Sequence, residues 1–187
     1  MHDEQHIITS AIAGNATAFG EIYTLYVKRI YAFIYTKTWH REMAEDLTSQ
    51  TFLKACEAIR RFDPARGTLQ TWLYQIARNT VTDHYRAARP TADISDAWDL
   101  TDGTDIPRDL EMKLQLERVQ QGLKGLTPDQ REIVLLRVWQ DLSHAEIAAI
   151  MGKTPDAVKV AYSRAVGQLR PELLLLLVLL TEFVRVK

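Results

Sequence analysis

Apolar residues recur at three- and four-residue intervals through most of the chain. Phe19, Ile22, Tyr23, Tyr26, Ile30, Phe33 and Ile34 fall on one face of a long predicted helix. Leu47, Phe52, Ala55, Cys56 and Ile59 repeat the pattern and leave Glu45, Asp46, Ser49, Gln50 and Lys54 on the wet side. The turn-forming stretch Phe62-Asp-Pro-Ala-Arg-Gly67 interrupts the helix. A third run follows, with Leu69, Trp72, Leu73, Ile76, Ala77, Thr80 and Val81 predicted to face inward. No segment reads convincingly as a strand.

From Ala87 to about Arg108 the pattern lapses. Pro90, Gly103 and Pro107 are interspersed with Asp93, Asp96, Asp99, Asp102 and Asp105, the composition of a linker extended by its own charge. Helical periodicity resumes between Asp109 and Gln121. Thr127, Pro128 and Gln130 then form a strong start signal, in which a capping threonine, a proline at the first helical position and a glutamine complete a capping box. Ile133, Val134, Leu136 and Val138 are that helix's core side.

Two more starts follow within fifteen residues. Ser143 and Glu146 have capping-box spacing, and Leu142 and Ile147 stand where a hydrophobic staple places them. The short helix they open ends at Gly152, which is suited to a left-handed turn. Thr154-Pro155 starts the next helix. Its apolar face is Val158, Tyr162, Ala165 and Leu169, and Lys159, Ser163 and Arg164 lie on the other side with Arg170 at the end. A short helix, a glycine turn and a second helix with a polar, basic outer face make a helix-turn-helix, a shape the DNA major groove admits. A plain helical hairpin is the competing reading, but two caps, a staple, a turn glycine and a basic face coincide within thirty residues.

Composition narrows the function classes. The net charge of −1 conceals an uneven distribution. Residues 1–89 carry 11 Lys/Arg against 9 Asp/Glu, net +2, and residues 112–171 carry 9 against 6, net +3. Residues 90–111 between them carry 1 against 7, net −6. Two mildly basic blocks are thus separated by an acidic strip. Cys56 is the single cysteine, so no internal disulfide forms and a reducing cytoplasm is the expected compartment. The longest strictly apolar run, Leu173–Leu180, is far shorter than the ~20 residues that span a bilayer, so no membrane insertion is expected. The histidines (His2, His6, His40, His84 and His144) lack metal-ligand spacing, and no phosphate loop or nucleophile motif occurs. No metal, cofactor or catalytic residue is implied.

These motifs, in this order, resemble those of a bacterial RNA polymerase sigma factor. Leu126–Arg170 is similar to the family's C-terminal, promoter-reading region. Residues 7–89 are similar to its N-terminal region through Ala18-Phe19, Ala44-Glu-Asp-Leu-Thr48, Thr51-Phe-Leu-Lys-Ala55, Phe62-Asp63, Thr71-Trp-Leu-Tyr74 and Ile76-Ala-Arg-Asn79. With only these two regions, covering about four-fifths of the chain, it resembles the extracytoplasmic-function (ECF) group of the sigma-70 family.

The resemblance implies an all-α fold of two small helical domains joined by an acidic flexible linker. Residues 1–89 would bind core RNA polymerase and read the minus-ten element, and residues 112–171 would read the minus-thirty-five element. Residues 90–111 would be the linker, and 172–187 an apolar extension. In the family the helix carrying Ala44-Glu-Asp-Leu grips the polymerase clamp, which makes Glu45, Asp46 and Gln50 the candidates; Ser49-Gln50 stands where relatives often have Gln-Glu. A flipped non-template base is held near the turn after Phe62, so Phe62, Arg66 and Asn79 match that site, with core packing an equal reading for Phe62 and the preferred one for Trp72. Tyr74, Arg78, Tyr85 and Arg86 are expected on one exposed face of the third helix, with His84 and Arg89 extending its basic end. Lys159, Ser163 and Arg164 match groove or phosphate contacts, and Ala161 departs from relatives that carry Arg there. The linker's acidic side chains either imitate nucleic acid inside the enzyme or simply form a solvated tether. Leu173–Leu180 is expected to pack on its own domain or, second, against an anti-sigma factor or the first domain. An autonomous helix-turn-helix repressor or activator is the alternative function.

Overall fold

A computed structural model describes residues 2–88, 118 and 121–169, all-α throughout those residues. The acidic linker, Arg89, Arg170 and the Leu173–Leu180 run lie outside the described residues. The N-terminal domain contains α1 (His2–Ile12), α2 (Ala16–Thr38), α3 (Arg41–Ala58) and α4 (Leu69–Ala88). The C-terminal domain contains α5 (Pro128–Trp139), α6 (His144–Met151) and α7 (Pro155–Gln168), preceded by a helical turn at residues 121–124.

Local chemistry fixes the boundaries. Asn15 caps α2 by accepting from the amides of Thr17 and Ala18 at 2.9 and 3.3 Å. The helix stops at Trp39, a left-handed cap at φ 48° whose amide returns to the Tyr35 carbonyl. His40 caps α3 with its ring, Nδ1 accepting from the Met43 amide at 3.2 Å. Asp63 caps the turn Pro64–Arg66 between α3 and α4.

α2 is the axis of the first domain and lies against α1, α3 and α4. Ile22, Ile30, Phe33, Leu47 and Leu73 are buried where these helices meet. Thr48 and Thr51 also point inward, and each hydroxyl donates to the carbonyl four residues earlier, at 2.6 and 2.7 Å. That local bond satisfies a buried polar group without a tertiary partner. Two positions expected inside are outside: Cys56 is exposed, and Tyr23 is 45% exposed while meeting Phe52 edge-on. An apolar stripe wider than the contact it serves leaves its margins wet.

In the second domain both capping boxes form. Thr127 accepts from the Gln130 amide at 3.3 Å, and Gln130 accepts from the Thr127 amide at 3.0 Å. Ser143 and Glu146 make the same exchange at 3.2 and 2.8 Å. Ile133, Val134, Leu135 and Leu136 are all buried, so α5 is enclosed on more than one side. α6 and α7 cover one side of it. The other side meets the N-terminal domain, with α5 against α2 and α6 against α4.

Candidate nucleic-acid and polymerase interfaces

Three surfaces match the residues expected to carry function, and they are presented differently. The first is the helix-turn-helix. Leu142 and Ile147 are buried at its base. Gly152 adopts φ 65°, ψ 35°, and its amide closes on the Ala148 carbonyl. A side chain there would meet no neighbour, yet the left-handed backbone disfavours any residue but glycine. Thr154 caps α7 at once by accepting from the Ala157 amide at 3.2 Å. Lys153 in the turn pairs with Asp129 at the start of α5, 2.7 Å away. Val158 and Ala165 face inward, and Lys159, Ser163 and Arg164 are all exposed. Ala161 is half-buried and packs on the core, so it adds little to the outer face. Sequence reasoning missed Val160, an apolar side chain 49% exposed on that face, one turn before Arg164. Its break from the apolar periodicity was the available signal.

The second surface is the outer side of α3. Glu45, Asp46 and Gln50 are exposed, as is Ser49. Glu45 pairs with Arg41 at 2.9 Å, and the Ser49 hydroxyl donates to the Glu45 carbonyl. Leu53, 62% exposed, continues this face one turn beyond Gln50. An acidic, amide-bearing strip ending in an exposed leucine suits protein contact better than nucleic acid.

The third surface is α4 with the preceding turn. Arg66, Asn79 and Arg86 are exposed. Phe62 is buried and its ring lies 5.1 Å from that of the half-buried Trp72. Tyr85 is half-buried, its hydroxyl 3.5 Å from the Lys37 carbonyl, and burial raises that hydroxyl above its ordinary pKa. His84 meets Tyr85 edge-on. Tyr74 departs from expectation: it is fully buried, edge-on to Phe33, and its hydroxyl donates to the Gln140 side chain. Arg78 also turns toward the C-terminal domain and donates to Glu132 at 3.1 Å. The exposed face expected for Tyr74 and Arg78 is therefore covered, because α4 packs on both sides. Trp72 and Ile76, expected to face inward, are correspondingly only half-buried.

No helix among the described residues is long and apolar enough to cross a membrane. Among those residues no cluster of His, Cys, Asp and Glu could hold a metal ion.

Two helical domains, the second built on a capped helix-turn-helix and the first with an exposed acidic face on α3, define the architecture of a DNA-binding protein. Residues 22–91 match sigma-70 region 2, and residues 116–169 match sigma-70 region 4. The ECF RNA polymerase sigma factor BldN of Streptomyces coelicolor is 36% identical over 87% of this chain, which spans 63% of BldN's length. RNA polymerase sigma factor YlaC of Bacillus subtilis is 32% identical, over 78% of this chain and 86% of its own. The ECF sigma factor SigW of the same species is 30% identical, over 86% and 91%. Among solved structures, the sigma factor RpoE of Bartonella quintana, in complex with the anti-sigma factor NepR, superimposes with a TM-score of 0.64. It shares 27% identity, over 83% of this chain and 96% of RpoE. CnrH, solved with the cytosolic domain of CnrY, has the same fold, with a TM-score of 0.67 at 24% identity over 88% and 93%. The chain belongs to the sigma-70 family of RNA polymerase sigma factors, with ECF sigma factors among its relatives.

Proposed function

We propose that the protein is a promoter-specificity subunit: it joins core RNA polymerase and directs initiation at promoters carrying its own minus-ten and minus-thirty-five elements. The observation that carries this reading is the pairing, in one chain, of an exposed recognition face on α7 with an exposed acid-and-amide face on α3. α7 enters the major groove at the minus-thirty-five element. There Arg164 suits paired guanine acceptors, Lys159 and Arg170 suit phosphates, and Ser163 suits either. Val160 supplies an apolar surface for a thymine methyl, in place of the arginine missing at Ala161.

The domain comprising residues 1–89 binds the polymerase clamp through Glu45, Asp46, Gln50 and Leu53. It receives the opened minus-ten strand along α4, where Arg66, Arg78, Asn79, Arg86 and Arg89 offer cations and an amide. Exposed bases need such hydrogen bonds together with stacking surfaces; of the aromatic residues assigned there, Tyr85 is half-buried, whereas Phe62 and Tyr74 are buried and offer no open ring face. Residues 90–111 join the two readers. The subunit performs no catalysis of its own and acts in the cytoplasm beside the polymerase. An anti-sigma factor is a further partner, as NepR is of RpoE. No feature favours a free-standing repressor or activator.

The test is reconstitution with core polymerase and genomic fragments. The expected result is a stable complex and initiation at defined sites. Failure to join the core, or to direct initiation anywhere, overturns the reading.

A further inference from the structure

The turn that carries Arg66 has no packing of its own. Residues 63–68 are all exposed. What orders them is short-range: Asp63 Oδ1 accepts from the Ala65 amide and the Asp63 carbonyl from the Arg66 amide, each at 3.0 Å. A surface segment closed on itself in this way keeps its shape, but its place on the domain is set by the scaffold at its two ends.

The downstream end is fastened to α4. The Thr68 hydroxyl accepts from the Thr71 amide at 3.1 Å, and the Thr68 carbonyl from the Trp72 amide at 3.1 Å. The upstream end is the single helical turn Ile59–Arg61. Ile59 is buried, and its carbonyl accepts from the Phe62 amide at 3.0 Å. This turn lies against α1.

The contact with α1 is made on bare backbone. Gly14 joins α1 to α2 at φ 96°, a conformation that favours glycine. The bend around it is stiff. The amides of Ala13, Gly14 and Asn15 donate to the carbonyls of Thr9, Ala11 and Ser10 at 3.1, 2.9 and 3.1 Å. Arg60 lies over this bend. A Cβ on Gly14 would stand 2.8 Å from Arg60 Nη2 and 3.4 Å from its Cζ and Nε, so the guanidinium fills the space a side chain would take. α1 has no basic residue in its last turn, and Arg60 brings a cation to that carbonyl-bearing end. Glycine is therefore required here twice, for the backbone and for the seat of the arginine.

We propose that Arg60 is a positioning residue for the minus-ten strand: seated on Gly14, it holds the Ile59–Arg61 turn against α1 and thereby sets the place of Arg66. This rests on the assignment of Arg66 to the opened strand, proposed above; the seat of Arg60 on Gly14 does not.

Two measurements separate those parts. The first is hydrogen exchange in the free full chain at the Phe62 amide, which closes the Ile59–Arg61 turn. Arg60→Ala should raise that exchange by about threefold or more, with the amides of α2, α3 and α4 unchanged. No change at Phe62, or a rise throughout the domain, overturns the positioning role.

The second is binding of a single-stranded oligonucleotide to the assembled polymerase, its sequence the non-template minus-ten strand of a promoter found by reconstitution. Arg60→Ala and Gly14→Ala should each weaken it by about threefold or more and flatten its preference among bases at one position. Affinity for core polymerase and for a minus-thirty-five duplex should not move. Combined, the two changes should lose no more than the stronger one alone, because both remove the same contact; losses that multiply refute the proposal. Arg60→Lys keeps the charge without the flat guanidinium and should behave as Arg60→Ala does. If Arg60→Lys instead matches the wild type while Gly14→Ala is silent, Arg60 is a plain phosphate contact and the proposal is wrong. Alanine is strained at φ 96°, so if Gly14→Ala fails to fold, the two changes at exposed Arg60 decide the matter. If the wild-type enzyme binds no such strand, the minus-ten reading fails, and exchange at Phe62 still decides what Arg60 holds.

Discussion

α7 and α4 are both amphipathic helices assigned to promoter DNA, yet they differ in what covers them. The outer face of α7 is open, with Lys159, Val160, Ser163 and Arg164 all exposed. The corresponding part of α4 is not: Tyr74 is fully buried, and Arg78 is committed to Glu132. Basic and aromatic residues at helical spacing thus identify a face without saying whether it is presented. What decides is the second neighbour. α7 packs chiefly on α5 and α6 of its own domain, whereas α4 lies between its own domain and α6.

Removing Glu132 tests this difference most directly. Glu132→Ala leaves the buried Lys37 ammonium without its carboxylate and beside the partly exposed Arg78, which should destabilise the contact between the domains by about 3–5 kcal/mol. Hydrogen exchange reads the effect as lost protection confined to α4 and α6, while the cores of both domains keep theirs. Uniform loss across both domains would mean that Glu132 supports the fold and not the contact. Lys37 sharpens the point. Burial lowers the pKa of its ammonium, and Glu132 is the largest influence opposing that shift. Without the carboxylate, its charged form has little reason to stay buried.

A comparable loss is expected from Ile147→Ala, by a different route. Ile147 is fully buried in the base of the helix-turn-helix, and the cavity left behind should cost about 2–5 kcal/mol. Thermal unfolding of the C-terminal domain should report it. Because α6 also touches α4, the first domain should gain exposure at the same time. An unaltered α4 would break the claim that the two faces are coupled.

Arg164→Ala probes the open face alone. It should weaken minus-thirty-five binding by about 1–3 kcal/mol, with affinity for core polymerase unchanged. Promoter titration with the assembled enzyme separates the two, and a fall in core affinity would remove Arg164 from its assigned role.

The sequence read the two helices unequally for a physical reason. Capping boxes, a turn glycine and a staple act within a few residues, so the boundaries of α5, α6 and α7 were legible, as were the exposed positions of Lys159, Ser163 and Arg164. The same holds for Glu45, Asp46 and Gln50, since α3 has a single buried side. The interdomain contact joins residues far apart in sequence. Its members, Lys37, Glu132 and Gln140, are residue types that usually end in water. Nothing local marks Lys37 as buried except its place at the end of an apolar run, between two threonines that are themselves buried. Tyr74 was misplaced by the same blindness: treating α4 as one-sided sends it outward, whereas a helix packed on two sides has little wet face to give. Trp39 hides at a helix terminus, where periodicity is silent.

The smallest effect concerns Val160, and it refines what the open face reads. A half-exposed valine on a recognition helix is either an unremarkable surface residue or a contact to a thymine methyl. Val160→Ala removes two methyl groups, worth about 1 kcal/mol or somewhat more if they are covered in the complex. Replacing each thymine of the minus-thirty-five element with uracil removes only the base's C5 methyl. If Val160 meets one of those methyls, a single uracil position should weaken the wild-type complex and leave the Val160→Ala complex nearly unaffected, a non-additive pair. Additive losses at every position would leave discrimination to Lys159, Ser163 and Arg164. The open face would then be purely polar, and closer in character to the covered one than its exposed valine suggests.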